Sequence, residues 1–158
     1  MKRRNRLVKL ASALAVLAAG GVLAMWYGTR TVQAPPEVGA ADGTLAPCAS
    51  SLNCAASQQV EAGGMLPPLT FADGAPSAQA RLLAALRAQP RTEIIEERPG
   101  YVHVVFRSPT IGFPNDAEFT IDAASGTVRF RSQARLGRED MGKNRKYLEQ
   151  VAADFAAS

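Results

Sequence analysis

Eighteen consecutive residues without a charge, "LASALAVLAAGGVLAMWY" (Leu10 to Tyr27), follow "MKRRNRLVK" at the start of the chain, and no other segment limits the fold so strongly. As a helix rising about 1.5 Å per residue, such a run extends roughly 27 Å, enough for a thin hydrocarbon core. Two readings share this pattern. A cleaved signal peptide needs small residues close behind the apolar run, where Met25, Trp26 and Tyr27 stand instead; Val32-Gln33-Ala34 has small residues, but Pro35 follows it. An uncleaved anchor accounts for Trp26 and Tyr27 as interfacial aromatics and for the five cations ahead of Leu10 as the cytoplasmic end. The single-pass anchor is the preferred reading, with cleavage and secretion as the alternative. Both export everything C-terminal to it, given a bacterial-type envelope. "LAPC" (Leu45 to Cys48) resembles a lipoprotein cleavage box but lies too far beyond the apolar run to serve as one.

The same N-terminus explains the charge. Of the net +4, six basic residues (Lys2, Arg3, Arg4, Arg6, Lys9, Arg30) and no acid fall in residues 1–30, leaving 12 basic against 14 acidic residues and a net of −2 beyond them. The net basicity therefore gives no support to a phosphate-backbone surface on the folded part, and nucleic acid is not an expected partner. The remaining length supports one small domain. The expected division is residues 1–29 as basic start and anchor, 30–46 as a flexible Pro/Gly/Ala tether, and 47–158 as the exported domain. Treated as a coil, the tether reaches on the order of 23 Å.

Cys48 and Cys54 are the chain's two cysteines. In an oxidising compartment they are expected to form a disulfide, stabilising by roughly 2 kcal/mol through loop closure. Five intervening residues are not the spacing of a redox pair, and no His or further Cys stands nearby to complete a metal site, so neither metal nor cofactor is expected.

Past the cysteines, "GGMLPPLTF" is apolar but interrupted by Pro67 and Pro68, which suits extended docking and not a central strand. "SAQARLLAALRAQ" (Ser77 to Gln89) puts Leu82, Leu83 and Leu86 on one helical stripe, with Ser77 as the expected N-cap and Pro90 as the stop. "TEIIEE" and "YVHVVFR" flank Arg98-Pro99-Gly100, a turn between β-branched runs. "NDAEFTID" and "TVRFRS" form a second hairpin around Ala123 to Gly126. Together these predict an α+β fold: an antiparallel sheet of about four strands with helices packed on one face. The alternation of Ala117, Phe119 and Ile121 with that of Val128, Phe130 and Ser132 selects the register that places Asp122 opposite Thr127, Thr120 opposite Arg129, and Glu118 opposite Arg131. A slip of one residue sends Phe119 and Phe130 to opposite faces.

"LAPCASSLNCAAS", "YVHVVFRS", "GFPNDAEFTID", "VRFRSQARLG" and "DMGKNRKYLEQV" resemble, in order and spacing, the bacterial and plastid family catalogued as domain of unknown function 1499, over about residues 45–157. The family pattern has an Asp where this chain has Asn115, a small residue at Gln133 and an apolar one at Lys143. The resemblance implies a fold and a set of positions, with no assigned reaction, and the missing acid at 115 weakens any paired-carboxylate mechanism built on Asp116.

Three residues are candidates for catalysis. Asp116 and Glu118 share a strand face about 7 Å apart, a spacing acid and base pairs can use, and His103, the chain's one histidine, falls on the same polar face as Arg107. Against this, an arginine opposite Glu118 favours the ionised carboxylate, the reverse of what a general acid needs. His103 has no Ser or Cys nucleophile motif beside it. Glu118 and Arg131 are therefore read first as a structural cross-strand pair, and Asp116 is left opposite Gln133 with no cation in register. In the last helix, Met141, Asn144, Leu148, Val151 and Phe155 fall on one stripe, so Asn144 is expected to be buried and hydrogen-bonded to "SQARLG". Arg135, Arg138, Lys143 and Arg145 gather near that helix's start, where an anion, a phosphate or a lipid headgroup, is the functional alternative to neutralisation by Glu139 and Asp140. The chain thus reads as a membrane-anchored binding or interaction module for an envelope component, with the alternative of a hydrolase using His103 and Asp116 or Glu118.

Overall fold

A computed structural model describes residues 2–35, 37–39, 43–48, 50, 52–58, 65–109 and 111–158. The chain opens with α1 (Lys2–Thr31) and continues through β1 (Cys54–Ala56), β2 (Leu69–Thr70), α2 (Ala75–Ala88), β3 (Thr92–Arg98), β4 (Tyr101–Arg107), β5 (Pro114–Asp122), β6 (Thr127–Ala134) and α3 (Lys143–Ala157). Within α1, Lys9–Thr31 is 23 residues long and apolar enough to cross a membrane; its most apolar window is unburied, while the rest of the protein covers Thr29 near its end. At its end the Arg30 guanidinium lies 4.0 Å from the Trp26 ring centroid, a contact suited to an interfacial belt.

The sheet is antiparallel, in the order β1-β6-β5-β4-β3, with β2 also paired to β6. The four expected strands are present, and two short ones are added. β1 and β2 lie along the same side of β6, with Ala55 opposite Ser132 and Leu69 opposite Val128. Their brevity hid them from a reading based on alternation. The β5–β6 register is the one the phenylalanines select, pairing Phe119 with Phe130, Glu118 with Arg131 and Asp122 with Thr127. Gly126 ends the connecting turn at φ +63°, and a Cβ there would meet the Phe71 carbonyl oxygen at 2.8 Å, so only glycine fits without a backbone shift.

α2 and α3 cover one face. Leu82 and Leu86 of α2 and Leu148, Val151 and Phe155 of α3 join Val102, Val104, Phe106, Phe119 and Phe130 in a single core. Phe106 stacks on Tyr147 at 4.7 Å between ring centroids. Two expected helix boundaries are corrected. α2 begins at Ala75 behind Gly74, with Pro76 in its first turn, because the fixed φ of proline is already helical; Ser77 sits inside the helix and donates to Asp73 at 2.6 Å instead of capping it. Met141 lies before α3 and is exposed, so the buried stripe starts at Asn144.

The opposite face of the sheet is covered differently. The described residues of the 32–48 segment lie against it: Leu45 packs on Tyr101, Cys48 forms a disulfide with Cys54 of β1, and Cys48, Cys54 and Ala56 make a small buried cluster. Under this irregular layer lie the charged side chains of β4, β5 and β6.

Candidate functional site

Strand alternation that sends Val102, Val104, Ala117 and Phe119 to the helices sends Tyr101, His103, Asp116, Glu118 and Arg131 to the other side. Side chains two residues apart on neighbouring strands then meet diagonally. His103 is in register with Glu118, yet its Nε2 contacts Asp116 Oδ1 at 2.8 Å. Because an ionised carboxylate only accepts, the proton of that contact is on Nε2. Asp116 also receives two bonds from Arg135, Nε to Oδ2 at 2.7 Å and Nη2 to Oδ1 at 2.8 Å. Burial on its own raises the Asp116 pKa, but the hydrogen bonds and charges of His103 and Arg135 outweigh it and hold the carboxyl below its usual range.

Glu118 is satisfied in the same manner. Its Oε1 accepts from the Tyr101 hydroxyl and from the Gly39 backbone amide, both at 2.8 Å, and its Oε2 accepts from Arg131 Nη1 at 3.3 Å. Arg131 Nη2 donates to Gln133, and Arg131 Nε has no partner among the described residues. Asp116, Glu118, Arg131 and His103 are 2%, 1%, 3% and 5% exposed. Two carboxylates and two guanidiniums thus form a neutral layer, with the 32–48 segment closing it at two backbone groups: the Gly39 amide and the Val32 carbonyl, which accepts from Arg135 Nη1 at 2.5 Å.

The three candidate catalytic residues are brought together, but in states unsuited to the chemistry proposed for them. Asp116 is held ionised by two donors, Glu118 has three, and among the described residues no Ser or Cys hydrogen-bonds to the His103–Asp116 pair. Among the described residues no group of three or more His, Cys, Asp or Glu side chains is placed to hold a metal ion. Reading only directly opposed residues left Asp116 without a cation; its partners come from the diagonal, His103 on one side and Arg135, two positions past Gln133, on the other.

Two of the four cations near α3 are engaged elsewhere. Arg135 serves Asp116, Arg145 pairs with Glu149 at 3.1 Å and also reaches the Met65 carbonyl, and Arg138 and Lys143 are exposed. At the start of α3 the Asp140 carboxylate accepts from the Gly142 amide at 2.8 Å and the Asn144 amide at 2.7 Å, the bonds an external anion would otherwise take. Asn144 is fully buried. It accepts from Ser132 Oγ at 2.6 Å, as its place beside "SQARLG" suggested, and donates to the Asn53 carbonyl at 3.0 Å and to Asp140. This knot ties α3, β6 and the residue before β1 together.

A long apolar helix, an antiparallel α+β domain with helices on one face, a disulfide and a buried ion layer on the other define the class: a candidate membrane-associated α+β domain. The family described as "Protein of unknown function (DUF1499)" matches residues 44–155, and the chain belongs to that family. No curated protein and no solved structure matches the chain.

Proposed function

We propose that the protein is a membrane-anchored binding module: residues 1–29 hold it in the cytoplasmic membrane with the N-terminus inside, 30–46 connect, and 47–158 form an extracytoplasmic domain that recognises an envelope component or partner protein. The observation that carries this is the state of the charge layer, in which every acid a hydrolase would draw on is already bound to a cation and shielded from solvent. The Cys48–Cys54 disulfide supports an oxidising location, and Lys9–Thr31 supports the anchor. A reporter active only outside the cytoplasm, fused after Ser158, tests the topology: activity is expected, and an inactive fusion at normal expression overturns export.

One contact favours a second reading, a hydrolase-like enzyme. His103 and Asp116 stand at 2.8 Å, the relation of a base to the group that orients it. His103→Ala separates the two. In the binding module the variant melts earlier and keeps whatever phenotype the gene confers in proportion to its folded fraction. Loss of phenotype at an unchanged melting temperature favours the enzyme.

A further inference from the structure

The domain meets the end of α1 at Thr29, which is 4% exposed; its hydroxyl donates to the Trp26 carbonyl at 2.9 Å within α1 and stands 3.4 Å from the Ile111 carbonyl. Thr29 is near the C-terminal limit of the apolar span, so the β4–β5 loop that contains Ile111 lies where an anchor leaves a bilayer. Pro109 of this loop is one wall of a cavity of about 580 Å³ whose other walls come from the end of α2 and from α3. Arg91, Lys143 and Lys146 line it, and its one lining acid, Asp154, already accepts from Gln89 at 2.5 Å and from Gln150 at 3.1 Å. Lys143 and Lys146 form no ion pair among the described residues. A second cavity of about 240 Å³ shares Lys143; Phe113, Leu136 and Met141, which are 36%, 42% and 82% exposed, line it together with two acids, Glu139 and Asp140, of which Asp140 already accepts from the Gly142 and Asn144 backbone amides. Arg91 and Met141, at φ 57° and 56°, each hold a backbone conformation that non-glycine side chains seldom adopt, and one lies on each cavity.

We propose that these adjoining cavities bind an anionic phospholipid of the membrane that carries the anchor. The headgroup phosphate sits among Arg91, Lys143 and Lys146, and Phe113, Leu136 and Met141 contact the upper acyl region. Cations within a headgroup's reach attract anionic lipid, and exposed apolar side chains beside them enter the interface. The site rests on the anchored reading above and keeps Lys143 from the group Arg135, Arg138, Lys143 and Arg145, of which Arg135 pairs with Asp116 and Arg145 with Glu149.

The test uses the full chain in neutral detergent, with lipid retention measured by native mass spectrometry against phosphatidylglycerol, phosphatidylcholine and inorganic phosphate. Phosphatidylglycerol is expected to be retained over phosphatidylcholine. The Lys143→Gln/Lys146→Gln double variant should lose about 30-fold of that affinity, the product of two lysine contacts near a charged surface. A charge-matched Arg87→Gln/Arg129→Gln variant should lose little, which separates this site from attraction to the basic N-terminus. Equal losses in both variants, or equal retention of the two lipids, overturn the proposal. Competition by inorganic phosphate overturns the lipid assignment in favour of a free anion. An inactive Ser158 fusion with selective binding intact removes the proposed topology and not the site, whereas an active fusion without selectivity removes only the site.

Discussion

Both faces of the sheet are dry, and they are dry for different reasons. On the helix side, Phe119 and Phe130 meet Leu82, Leu86, Leu148 and Phe155, and burial of apolar area stabilises each contact directly. On the other side, Asp116, Glu118 and Arg131 are buried, and Arg135 half-buried, under a segment with no regular structure of its own. There desolvation opposes Coulomb attraction and the net gain is small or negative. Apolar packing tolerates a range of occupants, whereas the ion layer tolerates only complete sets of partners. The first face stabilises the domain; the second specifies how the 32–48 segment lies on it.

The largest expected effect tests that contrast. Glu118→Ala leaves Arg131 buried without its carboxylate, and unfolding in denaturant should show a loss of about 3 to 5 kcal/mol. Phe119→Ala should cost a similar 3 to 5 kcal/mol through its cavity. The double replacement Glu118→Leu/Arg131→Met separates them, because removing both charges together should recover most of the loss and can exceed wild-type stability by about 1 kcal/mol or more. If the double variant is as unstable as Glu118→Ala, the ion layer contributes net stability and the contrast between the faces fails.

Next in size is the staple. Cys48→Ser/Cys54→Ser should lower stability by roughly 2 kcal/mol under oxidising conditions. Reducing agent should lower the wild type to the same level and leave the variant unchanged. Equal stability of wild type and variant in both conditions breaks the assignment of the 32–48 segment to this face.

How much of this was legible follows the same division. Apolar alternation repeats every two residues and forces a register, so the hairpin pairing of Phe119 with Phe130 could be read off, as could the burial of Asn144 among Leu148, Val151 and Phe155. The ion layer has no period. Arg135 reaches Asp116 diagonally from just beyond the end of β6, and Gly39 reaches Glu118 through a backbone amide that any residue but proline carries. Neither contact leaves a compositional mark. β1 and β2, at three and two residues, are too short to show alternation. Ser77 has the side chain of a cap, but the backbone constraint of Pro76 sets the helix start three residues earlier, with Gly74 at the cap position.

The smallest expected signal concerns protons. Asp116 has its folded-state pKa held below 3.8 by His103 and Arg135 despite burial. A depressed pKa adds stability that is fully present above the unfolded value near 3.8 and is lost as pH falls through the folded value. One carboxyl changes stability by at most about 1.4 kcal/mol per pH unit. Asp73 and Asp122, each with a pKa lowered to about 2, titrate in the same acid range, so the wild-type curve alone does not isolate Asp116. The difference between wild type and Asp116→Asn does, since the two exposed acids are common to both. That difference should shrink as pH falls below the unfolded Asp pKa. If it stays constant to pH 2, the Asn variant has lost packing or hydrogen bonds and not a stabilised charge, and the two faces are held together by the same kind of force.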